Sequence, residues 1–407
     1  MSANNMAESE KKIIVALMLC GLFVVSQVYL FIPLVLLLQK NLFISHSNAL
    51  WVISAFSLSY ASGFLLLGPL SDRFSKKRLM LIGLVLLSAI TFVIGFIHNF
   101  TTLIIFRILQ GLAASTFAPT AMAYVSELSS ENSRVIGLSL LIMSFALAGI
   151  FGQVYASIVS EILGLQWVFW LLGSVYIIMT FFIAPKLSAG KKIKTSSPVF
   201  DTYKNMLLHF KNPALVLLYV ITFIILMSFV SVYDILGDYL NQRFGLALQN
   251  VFYIRMAGIP SMCLSPVAGY FARKIGGSTI TIIGLIILIL GLLFESLSSS
   301  LPHFTLSSAL FDAGIAITTP GIVIMINKAA QQAKGSAMSL YTFFLFFGAG
   351  LGPLVSSELY KHGFSGVCYA FAALFFVCIL MLSFASKKLK NNLIGSFNFT
   401  PKQSMTK

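Results

Sequence analysis

Long apolar runs follow one another along this chain, each about as long as a helix must be to cross a bilayer, roughly 20 residues. They cover residues 13–36, 50–70, 79–98, 101–124, 135–159, 166–186, 213–236, 249–272, 278–299, 304–326, 335–357 and 365–386. Inside hydrocarbon a backbone must satisfy its own N–H and C=O groups, and a run of this length does so only as a helix. The expectation is therefore an all-α membrane protein with 12 transmembrane helices. Composition supports it. Hydrophobic residues make up 58% of the chain and charged ones 10%, too few polar groups to coat a water-facing surface. Lys11 and Lys12 before the first run imitate a signal peptide, but Ile13 to Leu38 is too long for a cleaved segment and reads as the first span.

The net charge of +15 would suggest nucleic acid in a soluble protein. Here the basic residues sit between spans, and the positive-inside rule accounts for them without nucleic acid. With the N-terminus inside, only Lys40, Arg243 and Lys361 fall in outer loops, while Arg107 and Arg255 lie within spans. All other Lys and Arg, out of 27, fall inside. Both termini are expected in the cytoplasm. The Lys-, Ser- and Pro-rich connection 187–212 splits the spans evenly: an N-terminal six-helix bundle over 1–186, a cytoplasmic linker over 187–212, and a C-terminal six-helix bundle with its tail over 213–407. The halves read as repeats. Shifted by 201 residues, Gly68 lands on Gly269, Gly83 on Gly284 and Pro119 on Pro320; shifted by 200, Gly152 lands on Gly352.

The loop Gly68-Pro69-Leu70-Ser71-Asp72-Arg73-Phe74-Ser75-Lys76-Lys77-Arg78 is short and dense in charge. It resembles the loop between spans two and three of the major facilitator superfamily, Gly-x-Leu-x-Asp-Arg-x-Gly-(Arg/Lys)-(Arg/Lys), with Ser75 where the family has glycine. The resemblance implies a major facilitator fold, two pseudo-symmetric six-helix bundles that rock about a central cavity. It also implies a latch. Gly68 belongs to it as part of the motif, Asp72 would touch the start of span eleven near Gly335-Ser336, and Arg73 and Arg78 would meet an acid at the end of span four, for which Glu127 is available. A plain basic loop without a latch is the alternative.

Arg107-Ile-Leu-Gln110-Gly111 in span four resembles the family's Arg-x-x-x-Gly motif, whose arginine is associated with proton coupling. An arginine at this depth is expensive and needs a partner or a water-filled cavity. Span five carries Gly149 and Gly152 but lacks the Gly-Pro of the drug–proton antiporter branch; a Gly-Pro stands instead at Gly352-Pro353. Asp234 in span seven and Asp312 in span ten are the clearest intramembrane carboxyls, in a setting suited to reversible protonation. Asp312 is placed to pair with Arg107 across the cavity. Asp234, with Asp238, has a structural alternative in Arg255. Glu295 and Glu358 read as residues at span ends. Because spans one, four, seven and ten line the cavity in the family, Gln27, Tyr29, Gln110 and Tyr233 are candidate lining residues, joined by Tyr341 and Phe344 of span eleven.

Cys20, Cys263, Cys368 and Cys378 lie in apolar runs without metal-ligand spacing. No nucleophile, metal cluster or phosphate loop argues for an enzyme, and no cofactor is expected. The resemblance implies a secondary transporter moving a small molecule against protons, and compact loops with few outside residues fit a monomer in a bacterial cytoplasmic membrane. A drug is the first substrate class. An endogenous metabolite such as a metal chelator is the second, and uptake of a small polar nutrient the third.

Overall fold

The computed structural model describes residues 3–71, 75–128, 131–187, 206–247, 250–330 and 334–396. These form helices and connections, with no strand among the described residues. The first half contains α1 (Ala3–Ser26), α2 (Val35–Leu42), α3 (His46–Ser71), α4 (Lys76–Ile94), α5 (Phe100–Ala114), α6 (Ala118–Ser126), α7 (Glu131–Ile162) and α8 (Leu165–Ile183). The second contains α9 (Pro213–Phe244), α10 (Val251–Met256), α11 (Ile259–Met262), α12 (Ser265–Ile275), α13 (Gly277–Leu297), α14 (Leu301–Ala329), α15 (Lys334–Leu359) and α16 (Gly363–Ser396).

Ten helical stretches among the described residues are long and apolar enough to cross a membrane. The expected count of twelve differs for two physical reasons. The first span is broken between α1 and α2, so neither piece carries a full apolar length. The last two run together as one stretch, Gly335–Phe384, across the turn Tyr360–His362. Within that stretch Gly363 takes φ +79°, a left-handed conformation that suits glycine and closes α15 before α16.

Proline marks the other breaks. After α1 has ended at Ser26, Pro33 sits in the first positions of a single 3₁₀ turn, Ile32–Leu34, where its missing N–H costs nothing, and α2 follows. Pro119 opens α6 after α5 has ended at Ala114. Pro260 and Pro266 open α11 and α12, so the eighth span is built from three short helices. Pro320 and Pro353 are instead tolerated inside α14 and α15.

The helices pair in the same way in both halves. In the first, α1 packs on α7, α3 on α5, and α4 on α8. In the second, α9 packs on α15, α12 on α14, and α13 on α16. Small residues permit the close approach, as expected where lipid supplies little hydrophobic drive between helices. A side chain at Gly152 would strike the backbone of Ser26, and one at Gly352 would strike Val230 and the backbone of Met227. These two glycines are partners under the 200-residue shift, and they seal equivalent seams.

The halves meet along α3 and α15, and along α7 against α10, α11 and α12. Phe346 of α15 packs edge-on to Tyr60 (4.6 Å between ring centroids) and stacks near Phe64 of α3 (5.7 Å).

Candidate functional site

Between the halves lies a cavity of about 120 Å³. Its walls include Val25 of α1, Tyr29 just after it, Met122 of α6, Phe145 and Gly149 of α7, and Phe229 of α9. Met262, Ile315, Ala316, Met338, Tyr341 and Phe346 close the other side. The lining is aliphatic, aromatic and methionine-rich, and its polar members are Tyr29, Ser265, Thr319, Tyr341 and Thr342. Tyr29 and Tyr341 are thus placed in the cavity. The other expected lining residues are elsewhere: Gln27, Gln110 and Tyr233 are fully buried, and Phe344 stacks on Tyr219 (5.5 Å), outside the cleft.

Arg107 is fully buried in the first half. Its Nε donates to the Val52 carbonyl (3.1 Å), one Nη to Gln110 Oε1 (2.6 Å) and the other to the Gln27 carbonyl (3.2 Å). The guanidinium is held between the rings of Phe31 (4.5 Å) and Phe56 (4.3 Å). Gln110 Nε2 donates onward to Thr91 Oγ1 (2.8 Å). The Gln27 carbonyl is available because α1 stops at Ser26, so no amide one turn on claims it. Arg107 therefore secures the break in the first span. Its expected pairing with Asp312 is not formed. Its fork is turned into its own bundle, where free and bent backbone offers acceptors.

Asp312 of α14 is fully buried in the second half. Tyr233 Oη donates to its Oδ2 (2.7 Å), and Oδ1 has no hydrogen-bond partner. A side chain at Gly258, in the break between α10 and α11, would collide with that carboxyl and with Ile150 of α7. The bare backbone at Gly258 is what lets Asp312 sit at the seam between the halves. Asp234 accepts from Ser356 Oγ (2.8 Å) through Oδ2, while Oδ1 is unpartnered. The alternative cluster of Asp234, Asp238 and Arg255 does not close into an ion pair: Arg255 donates to the Tyr233 carbonyl (3.4 Å), because α10 aims it at the backbone of α9.

The buried polar layer and the cavity are in register. Phe229, Met262 and Ala316 line the cavity. Four residues away on the same helices or helix break stand Tyr233, Gly258 and Asp312. Four residues are about one helical turn, roughly 5.4 Å, on a shared face. The acid layer is therefore the floor beneath the cavity, linked to it by the Phe229–Tyr233 ring contact (4.5 Å) and by Tyr29 against Phe229 (5.6 Å).

Of the expected latch, Asp72 and Arg73 lie outside the described residues, and Gly68 falls within α3. Glu127 does meet a basic residue of α4, but it is Lys76 (2.6 Å) rather than Arg78, which is exposed. Two helix positions on, a side chain has swung most of the way round the axis, so only one of the two faces α6. Lys77 Nζ donates to the Leu187 carbonyl (2.7 Å).

One group was missed. Glu295 does lie near the end of its span, α13, but is fully buried there, whereas Glu358 is exposed and bonded to Lys361 (2.7 Å). The signal was in the sequence: Gly277, Gly284 and Gly291 recur every seven residues along one face of α13, and Glu295 continues that face. Among the described residues no cluster of His, Cys, Asp or Glu could hold a metal ion.

Two helical halves with matching internal pairing, built from helices long and apolar enough to cross a membrane, meet around an apolar cleft, the architecture of a membrane transport protein. The family model described as Major Facilitator Superfamily matches residues 17–297 and 256–401, and the chain belongs to that family. It is 27% identical over 84% of its length, and 83% of the relative's, to an uncharacterized transporter of Buchnera aphidicola subsp. Schizaphis graminum. It is 26% identical over 83% of its length, and 82% of the relative's, to the uncharacterized MFS-type transporter YwfA of Bacillus subtilis. Its fold is that of the human organic anion transporter MFSD10 (TM-score 0.70, 19% identity, 92% of this chain and 99% of that one). A bacterial homolog of the human lysosomal transporter Spinster is similarly alike (TM-score 0.69, 14% identity, 92% and 95%). The chain is a bacterial membrane transporter.

Proposed function

We propose that this transporter exports lipophilic small molecules in exchange for protons. One observation carries the reading: an apolar, aromatic and methionine-rich cavity lies one helical turn above a buried carboxyl at the seam between the halves. Flexible Met side chains and aromatic faces adapt to varied apolar shapes. A small polar nutrient would find few hydrogen-bond partners there, which disfavours uptake of that class. A metal chelator would bring its own charge, and no charged side chain lines the cavity to receive it.

A proton on Asp312 would remove charge from the point where Gly258 and Ile150 bring the halves together, and would change the hydrogen bond that Tyr233 makes beneath Phe229. Substrate above and proton below thus act on the same rings. Arg107 serves this cycle by holding the broken first span, whose end supplies Tyr29. The parts of α6, α14 and α15 that line the cavity are those nearer the basic connections, which the charge asymmetry assigns to the cytoplasm. The cavity would then load from inside.

The test is ethidium efflux from cells expressing wild type, Asp312→Asn or Arg107→Ala, with and without a protonophore. Wild type should extrude dye, the protonophore should stop it, and Asp312→Asn should fail at normal expression. Wild-type cells that retain dye would remove broad lipophilic export.

A further inference from the structure

Glu295 has no role in the mechanism above, yet it is the most anomalous polar group in the second half. It is 0% exposed and neither carboxyl oxygen has a hydrogen-bond partner. An acid so placed is costly unless it carries a proton or meets a counter-charge.

Its position follows from how α13 and α14 pack. Side chains at Gly284, Gly291 and Gly314 would strike Thr318, Phe311 and Leu288 respectively, which fixes an antiparallel register between the two helices. One turn beyond Gly291, that register sets Glu295 beside Ser308. Asp312 is one further turn along α14, on the same face as Ser308. Its Oδ1 is the third unpartnered carboxyl oxygen of the pair. The titratable groups around them are Tyr233 and Tyr239 from α9 and Cys368 from α16. Asp234 and Asp238 stand between Tyr233 and Tyr239 on α9, and Arg255 of α10 is turned to the Tyr233 carbonyl. No basic group in this set forms an ion pair with either acid.

We infer that Glu295 is a second proton-carrying group, and that Glu295 and Asp312 form one protonation site spanning α13 and α14. Two acids without a cation between them cannot both stand bare in a buried site. A proton on one of them removes that penalty. Placing the second acid on α13, away from the seam, allows a proton to remain in the transporter while Asp312 gives up its own beneath the cavity. This inference rests on the proton-coupled reading, but its test does not use transport.

The test is infrared spectroscopy of the purified protein in detergent, following the C=O stretch of protonated carboxyl groups as pH is raised. Wild type should show such a band and lose it on titration. Glu295→Gln should lose the Glu295 component of it, Glu295→Asp should restore a component at a shifted frequency, and Asp312→Asn should move the midpoint of the remaining band by about one pH unit or more. The inference is overturned if Glu295→Gln superimposes on wild type across the titration while eluting as the same monodisperse species. Should Glu295→Gln not fold, Glu295→Asp decides: an unshifted band overturns the proposal. Loss of the wild-type band on adding sodium chloride at constant pH would assign the site to sodium instead. A failed ethidium assay would leave this result standing and reject only the export reading.

Discussion

Arg107 shows how far a single residue could be read ahead of the fold. Its depth within the fourth span was plain from the sequence, and so was the need for a partner. The partner was not, because it is backbone. Placing arginine at the centre of a membrane helix costs roughly 2.5–3.5 kcal/mol on insertion scales. Three hydrogen bonds from a charged donor, each worth about 1.5–3 kcal/mol, more than offset that. The cost of removing the guanidinium therefore falls on stability as much as on transport. Lysine keeps the charge but not the planar fork that reaches Val52, Gln27 and Gln110 together. Arg107→Lys should lower the thermal midpoint of the purified protein, with a loss of roughly 2–4 kcal/mol from the bonds it cannot remake. A midpoint equal to wild type would mean that charge alone holds the first span. Asp312 and Glu295 teach the complementary lesson. Sequence located the first and misjudged the second, because hydropathy gives depth and not facing.

At the level of helices, much was legible because lipid imposes it. The length of each run and the shift of about 200 residues anticipated the order and the repeated pairing of the elements. The breaks were less legible. Pro33, Pro119 and Pro260 each end or restart a helix, whereas Pro320 and Pro353 do not, and local sequence does not separate the two groups. A proline inside a membrane helix can be tolerated where neighbouring helices re-satisfy the groups it frees. Glycine is more predictable. Gly152 and Gly352 occupy equivalent seams, α1 with α7 and α9 with α15, and each faces backbone. Gly152→Val and Gly352→Val should therefore both reduce the monodisperse fraction on size-exclusion chromatography several-fold. Gly335→Ala, where a side chain meets open space, should leave it unchanged. If only one of the two valine variants fails, the seams are not equivalent and the repeat is one of sequence without shared mechanics.

For the whole molecule, the decisive question is which end of the cavity faces the cytoplasm, since that fixes whether a proton-driven cycle loads from inside. The geometry alone is indifferent to a bilayer's sidedness. The charge pattern is not. Basic residues outside the spans crowd the connections on one side, and Lys40, Arg243 and Lys361 are the exceptions on the other. Each Lys or Arg retained near a span end resists translocation, and a bias of this size over so many short loops acts in concert. The connections next to the cavity-lining parts of α6, α14 and α15 belong to the basic side. A fluorescent protein fused after Lys407 should therefore mature and fluoresce, as it does only in the cytoplasm. Alkaline phosphatase fused within the turn Tyr360–His362 should be active, as it is only outside. The reverse pattern would turn the cavity outward. It would leave the acid layer beneath the cavity intact as a proton site, but the same coupling would then drive uptake.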